Sequence, residues 1–178
     1  MTYEIICAGF GGQGVLFLGK MIAYAGMLEG KEVSWIPSYG PEMRGGTANC
    51  SVVVSDKRIG TPVVNNPNVL VALNRPSLEK FEAAMKKDGV LLINKTLIEI
   101  PHKRSDINAF YLEVTGIASS LGNVKLANVV ALGGLLKKVP IVKKETVIEA
   151  LEKELSGKKA DLLQLNIKAL NAGEEAAK

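Results

Sequence analysis

Hydrophobic positions follow two different spacings along the first part of the chain. Residues 3–8 form a short, mostly apolar run that ends at Gly9, which is typical of a buried parallel strand. Over residues 15–28 the apolar side chains recur at helical spacing, and Gly30 supplies the expected stop. Residues 32–37 then predict a second strand. This order predicts a βαβ unit with a right-handed crossover.

The rest of the chain predicts further strands and helices, ending in helices alone. Residues 48–54 are rich in valine and predict a third strand, whereas residues 56–68, interrupted by glycine and proline, predict a connection with at most a short edge strand. The later predicted strands are residues 69–73, 90–94 and 109–114, and the helices begin near Pro76 and cover 115–121, 126–138, 143–155 and 159–176. The fold class predicted is α/β, a Rossmann-like, mostly parallel sheet with helices on both faces and a helical C-terminal part.

Length and composition favour an ordinary soluble domain. The chain has 178 residues, 47% of them hydrophobic and 22% charged, so we expect a single domain over residues 1–178. The longest apolar stretch, near residues 129–136, is too short to cross a bilayer, and the N-terminal segment lacks a basic region. We therefore expect a cytoplasmic protein that does not act at a membrane.

Charge and cysteine content exclude further classes. The net charge of +4 comes mostly from lysines placed among glutamates, a pattern that argues against nucleic acid as a partner. Cys7 and Cys50 are far apart and belong to no Cys-x-x-Cys pair, so we expect no metal and no iron–sulfur cluster in this chain. Both are interpreted as small buried hydrophobic residues.

Glycines dominate the turn between the first strand and the first helix. Residues 9–14 are Gly-Phe-Gly-Gly-Gln-Gly, and Gly9, Gly11 and Gly14 let the backbone approach a ligand closely. The start of the following helix offers free N–H groups and the positive end of a dipole, which suit a pyrophosphate. The alternative is that the glycines only permit close packing of helix and strand; the strand before and the helix after favour anion binding.

A dehydrogenase that binds NAD(P) or flavin is the second interpretation of this turn. Such enzymes place an acidic residue near the end of the second strand to hold a ribose hydroxyl. Residues 34–38 are Ser-Trp-Ile-Pro-Ser, and Glu29 and Glu32 fall before or at the beginning of that strand. Gln13 also places a polar amide where dinucleotide folds usually carry small apolar residues.

A second candidate segment follows the second strand. Residues 38–46 are Ser-Tyr-Gly-Pro-Glu-Met-Arg-Gly-Gly, and the end of this strand is expected beside the end of the first, at the ligand-binding edge of the sheet. Arg44 can present a planar guanidinium to phosphate or carboxylate, with Glu42 near enough to pair with it. The alternative is a surface turn with a local ion pair.

Three segments together carry a resemblance to a known family. Residues 9–15 (Gly-Phe-Gly-Gly-Gln-Gly-Val), residues 38–46, and residues 128–134 (Asn-Val-Val-Ala-Leu-Gly-Gly) resemble, in this order, the gamma subunit of 2-oxoacid:ferredoxin oxidoreductases. The resemblance spans nearly the whole chain. It implies an enzyme complex that decarboxylates a 2-oxoacid on thiamine diphosphate, reduces ferredoxin through iron–sulfur clusters and releases an acyl-coenzyme A.

The resemblance also implies how the work is divided between subunits. Alpha and beta subunits, and in some complexes a delta subunit, would hold thiamine diphosphate, magnesium and the clusters. The gamma subunit would contribute coenzyme A binding and assembly, with no catalytic residue of its own and no activity alone. Ferredoxin would act through the complex, and the isolated chain could form homo-oligomers. The form of residues 9–15 favours 2-oxoglutarate over pyruvate, with branched-chain 2-oxoacids and indolepyruvate as alternatives.

Candidate ligand contacts follow from matching these segments residue by residue. Arg44 is the first candidate, and Lys20, one turn into the helix, is a weaker charge partner. Asn128 is a further candidate that could equally brace a helix, and a close helix or subunit contact would explain the pair Gly133 and Gly134. The full set of candidates for coenzyme A is Gly9, Gly11, Gly12, Gln13, Gly14, Lys20, Tyr39, Glu42, Arg44 and Asn128. A purely structural scaffold subunit remains the third hypothesis.

Overall fold

The computed structural model describes residues 1–38, 47–157 and 160–178. The strands in these residues are β1 (Thr2–Phe10), β2 (Glu32–Ser38), β3 (Thr47–Ser55), β4 (Val69–Ala72), β5 (Val90–Asn94) and β6 (Asn108–Leu112). The helices are α1 (Val15–Leu28), α2 (Arg75–Phe81), α3 (Val114–Ser120), α4 (Ala127–Lys138), α5 (Lys144–Glu154) and α6 (Ala160–Ala176), with 3₁₀ turns at Glu82–Ala84 and Val124–Leu126. None of the helices within these residues is long and apolar enough to span a membrane.

The described strands form one mixed sheet in the order β2-β3-β1-β4-β5-β6. Strands β1, β4, β5 and β6 run parallel, whereas β3 is antiparallel to both β1 and β2. The predicted α/β fold with a mostly parallel sheet is confirmed. The expectation that β1 and β2 end side by side is wrong, because β3 lies between them. Only residues 39–46 join β2 to β3, and so short a connection favours antiparallel pairing.

Helices cover the two faces of the sheet unequally. One face packs against α1, α3, α4, α5 and α6, and the core there includes Ile5, Cys7 and Val52. The other face packs against α2 and irregular segments, with Ile6 and Val53 in its core. Consecutive residues of β1 and of β3 thus enter opposite cores, as the two-residue repeat of a strand requires. Both faces of β3 are buried, which explains its valine-rich sequence.

The crossing of α4 and α6 depends on glycine. A Cβ atom on Gly133 would overlap the carbonyl of Leu170, and one on Gly173 would overlap the carbonyl of Val130. A Cβ atom on Gly134 would collide with Leu112 of β6. The expected helix contact of Gly133 and Gly134 is therefore confirmed, and it lies within the chain.

We predict that Gly133→Ala destabilises the protein strongly. Two helix backbones would have to separate to admit one methyl group, and overpacking of this kind costs about 1–3 kcal/mol or more. Gly60→Ala is the matched control, because its Cβ would meet nothing within 4 Å. Denaturant unfolding followed by circular dichroism measures both. Equal midpoints for the two variants would contradict the proposed packing.

Candidate functional site

The glycine turn joins the end of β1 to the beginning of α1. The Gln13 N–H donates to the carbonyl of Phe10 (3.1 Å), and Gly12 and Gly14 adopt positive φ angles of 92° and 74°. The first hydrogen bond of α1 runs from the Leu18 N–H to the Gly14 carbonyl (3.0 Å), so the helix leaves the N–H groups of residues 15–17 without intrahelical acceptors. The first turn carries no acidic side chain. These N–H groups and the helix dipole favour an anion here.

A cleft of about 300 Å³ opens on this turn, and we call it the glycine cleft. Gly11, Gly12 and Gly14 contribute backbone to its surface, while Phe10, Leu16 and Phe17 contribute apolar side chains. Phe10 is 42% exposed. These apolar residues were not among the site residues predicted from the sequence, although a phenylalanine inside a glycine-rich turn was a visible signal. The glycine cleft can hold a ligand that is anionic at one end and apolar beside it.

The side chain of Gln13 forms hydrogen bonds to the backbone of the turn and of the neighbouring strand end. Its Oε1 accepts the Phe10 N–H (2.6 Å), and its Nε2 donates to the carbonyl of Leu73 (3.3 Å), immediately after β4. Gly9 makes room for this arrangement, because a Cβ there would lie 2.6 Å from Gln13 Oε1. The amide therefore ties the ends of β1 and β4 together. A contact between Gln13 and pyrophosphate stays a prediction.

Asn128 supports the turn from α4. Its Nδ2 donates to the Gly14 carbonyl (3.2 Å), its Oδ1 accepts the Val129 N–H (2.9 Å), and the side chain is buried. A Cβ on Gly14 would overlap the amide of Asn128, so Gly14 is required by close packing as well as by its φ angle. The structure thus favours the bracing role of Asn128 that the sequence left open.

Lys20 lies away from the glycine cleft. It forms a salt bridge with Glu154 of α5 (2.7 Å) and lines a separate groove between α1 and β2. The structure therefore does not bring Lys20 to the glycine turn. Its predicted role as a charge partner of the ligand has no geometric support in the described residues.

Tyr39, Glu42 and Arg44 lie outside the described residues. The ends of the segment that contains them are nevertheless placed by the sheet register, which pairs Ser38 with Asn49 and Thr47 with Phe10. The segment therefore leaves and re-enters the sheet at the edge that carries the glycine turn.

A buried asparagine at the same edge was missed by the sequence analysis. Asn94, the last residue of β5, is fully buried and donates through Nδ2 to the Leu73 carbonyl (3.1 Å) and to Thr115 Oγ1 (2.9 Å). The Leu73 carbonyl thus accepts from both Asn94 and Gln13. These amides join the ends of three parallel strands, β1, β4 and β5. A polar residue closing the apolar run of residues 90–94 was the available signal.

The two cysteines lie beneath the turn and face each other across β1 and β3. Both are buried, and the Cys50 thiol donates to the Val15 carbonyl (3.4 Å). A hydrogen bond with Cys50, together with burial, raises the pKa of Cys7 well above its usual range. Cys7 is thus a neutral thiol in the core, as the sequence predicted. Among the described residues, no group of three or more His, Cys, Asp or Glu side chains could hold a metal ion.

A mixed α/β sheet with a glycine-rich turn at the carboxyl end of its central strand, leading directly into a helix, defines a Rossmann-like domain. Comparison with known families makes this class specific. The chain belongs to the pyruvate ferredoxin/flavodoxin oxidoreductase family, whose model matches residues 4–176. The resemblance found in the three sequence segments is confirmed.

Two relatives show that the sequence of this chain occurs both within a longer protein and as a protein of similar length. The ketoisovalerate oxidoreductase subunit VorA of Methanothermobacter marburgensis is 38% identical over 172 residues, which cover 96% of this chain and 36% of VorA. The 2-oxoglutarate synthase subunit KorC of Methanocaldococcus jannaschii is 35% identical over 183 residues, covering 100% of this chain and 95% of KorC. The chain thus spans about a third of VorA and nearly all of KorC.

Solved structures show the same fold. The gamma subunit of a keto/oxoacid ferredoxin oxidoreductase from Geobacter sulfurreducens superposes with a TM-score of 0.83 and 31% identity over 98% of both chains. The 2-oxoglutarate:ferredoxin oxidoreductase of Magnetococcus marinus, solved with 2-oxoglutarate, coenzyme A and succinyl-CoA bound, superposes with a TM-score of 0.90. That match has 23% identity and covers 99% of this chain and 31% of the other.

We predict that Asn128→Ala loosens the first turn of α1. The Gly14 carbonyl keeps the Leu18 N–H but loses its side-chain donor, and loss of one such hydrogen bond costs about 0.5–1.5 kcal/mol. Hydrogen exchange of the Leu18 amide, which donates to Gly14, should accelerate about tenfold relative to the middle of α1. Asn66→Ala, which removes one exposed hydrogen bond to Ala84 (3.0 Å), should leave the Leu18 amide unchanged. An unchanged Leu18 amide in Asn128→Ala would refute the bracing role.

Proposed function

We propose that this chain is the gamma subunit of a multi-subunit 2-oxoacid:ferredoxin oxidoreductase. The complex would convert a 2-oxoacid, coenzyme A and oxidised ferredoxin into an acyl-coenzyme A, carbon dioxide and reduced ferredoxin. The observation that carries this proposal is the match to KorC over nearly the full length of both chains. Alpha and beta subunits, with or without delta, would hold thiamine diphosphate, magnesium and the iron–sulfur clusters.

Within that complex we assign coenzyme A binding to the glycine cleft. The N–H groups of residues 15–17 and the positive φ glycines suit its diphosphate, and the apolar wall of Phe10, Leu16 and Phe17 suits the uncharged parts of the same molecule. Arg44 would approach from the segment that connects β2 to β3. Gln13, Asn94 and Asn128 would hold the cleft in shape.

2-Oxoglutarate is our first choice of substrate, from the form of residues 9–15 and the likeness to KorC. A branched-chain 2-oxoacid is the second candidate, favoured by the 38% identity to VorA. Ratios of kcat/KM for 2-oxoglutarate, 3-methyl-2-oxobutanoate and pyruvate, measured on the assembled complex, decide between them. A dehydrogenase is less favoured, because the carboxylate of β2 is Glu32 at its beginning, away from the glycine turn.

The purified chain alone should show no iron–sulfur absorbance and no turnover of a 2-oxoacid with an electron acceptor. The reason is that the proposal assigns the clusters and thiamine diphosphate to partner subunits. Visible spectroscopy and a dye-reduction assay, with and without partner subunits, measure this. Turnover by the isolated chain would contradict the assignment as a subunit.

In the assembled enzyme, Arg44→Ala should raise the KM for coenzyme A far more than the KM for the 2-oxoacid. Loss of one charge-assisted contact to phosphate costs about 1.5–3 kcal/mol, roughly ten- to a hundredfold in affinity. Arg44→Lys should recover only part, because it lacks the planar guanidinium. Arg75→Ala is a control on an exposed arginine that pairs with Glu79 (2.9 Å).

Steady-state kinetics with each substrate varied separately provide the measurement. If Arg44→Ala loses its partner subunits while coenzyme A kinetics stay normal, Arg44 is an interface residue and the ligand assignment is wrong. Nicotinamide nucleotide binding with no coenzyme A binding, measured by titration of the chain and of the complex, would support the dehydrogenase instead.

A further inference from the structure

Helix α1 is apolar around its whole circumference. Its fourteen residues include one charged side chain, Lys20, and its inner face lies in the core. The outward positions Leu16, Phe17, Tyr24 and Met27 are also apolar or aromatic. The first three pack partly against the core and stay partly exposed, and Met27 is exposed. A surface helix of a self-sufficient domain normally carries polar residues on its outer side. This composition is that of a helix with protein on both sides.

The outward residues of α1 form one continuous surface with β2. At about 100° per residue, positions 16, 17, 20, 24 and 27 fall within an arc of about 100°, so they share one side of the helix. A groove of about 430 Å³ continues this side onto the edge strand β2, where Val33 and Trp35 line it. We call Phe10, Leu16, Phe17, Tyr24, Met27 and Trp35 the α1 strip. Met27 is 59% exposed, more than any other member of the strip.

The α1 strip offers little charge to a partner. The one charged side chain of α1, Lys20, lies beside the strip and is paired with Glu154 of the same chain (2.7 Å). An acidic peptide or an anionic surface would therefore gain little here, whereas an apolar protein surface would bury Met27, Tyr24 and Phe17 favourably.

The longer relatives indicate which protein covers such a face. In VorA the matched segment is 36% of the chain, so about two thirds of that polypeptide is available to pack on the shared domain. The α1 strip also includes the wall of the glycine cleft, since Phe10, Leu16 and Phe17 belong to both. A second copy of this chain docked on the strip would obstruct the glycine clefts of both copies, whereas a catalytic subunit docked there would supply the reacting groups next to the ligand.

We propose that the α1 strip is the docking surface for a thiamine-bearing catalytic subunit, and that this subunit completes the wall of the glycine cleft. The proposal rests on the function proposed above and adds the surface to it. Met27 and Tyr24 lie at the end of the strip remote from the glycine turn, so they test docking without altering the ligand contacts.

Co-expression of Met27→Glu with the partner subunits tests the proposal. A glutamate buried in an apolar contact should reduce recovery of the complex about tenfold or more in affinity purification. Val63→Glu is the matched control: Val63 is 52% exposed and lies in the connection between β3 and β4, outside the strip. Circular dichroism of each variant alone checks folding, because both substitutions are at exposed positions.

A photo-crosslinking amino acid provides a second measurement that does not depend on disrupting the contact. Placed at position 27 in the assembled complex it should crosslink to a catalytic subunit, and placed at position 63 it should not. Full recovery of the complex with Met27→Glu, or crosslinks from position 27 only to another copy of this chain, would overturn the proposal. If the unsubstituted chain binds no partner subunit, the proposed function itself fails.

Discussion

Close approach of backbones is the constraint on which this structure depends. Helices α4 and α6 cross at Gly133 and Gly173, where neither helix has room for a methyl group. Helix α1 also lies close to the sheet, since a Cβ on Gly26 would come within 2.7 Å of the Val33 side chain. The resulting layer of helices leaves α4 pressed against the glycine turn, where Asn128 contacts Gly14. The position of the turn is therefore set by packing some distance from it.

At the edge that carries the glycine turn, one set of groups fixes the shape of the cleft and a different set lines its surface. Amide side chains fix the shape through hydrogen bonds to the backbone. Gln13 and Asn94 both donate to the Leu73 carbonyl, and Asn128 donates to the Gly14 carbonyl. The groups that face the cleft are backbone N–H donors and apolar side chains. Backbone donors cannot change rotamer, so they need no ordering when an anion arrives. A cleft formed in this way would suit the co-substrate role proposed above, in which the chemistry occurs on another subunit.

The sequence predicted local structure more successfully than pairing. Helices α1, α4 and α5 begin and end within about one residue of their predicted limits, because apolar spacing and glycine or proline stops are local signals. The insertion of β3 between β1 and β2 was not predicted, since strand order depends on contacts distant in sequence. The partners of polar side chains could not be predicted from the sequence either. Lys20 pairs with Glu154, 134 residues away, and only its position at the end of an apolar run marked Asn94.

The antiparallel position of β3 has a consequence for how such a site can diversify. Both ends of the connecting segment are anchored by the register, through Ser38 opposite Asn49 and Thr47 opposite Phe10. Residues can be inserted or deleted between these anchors without shifting any strand. In general, doubling the length of a connection between two fixed ends costs only about 0.6 kcal/mol in closure entropy. Changes confined to this connection would therefore alter the edge that carries the glycine turn, while the sheet and the cleft retain their geometry.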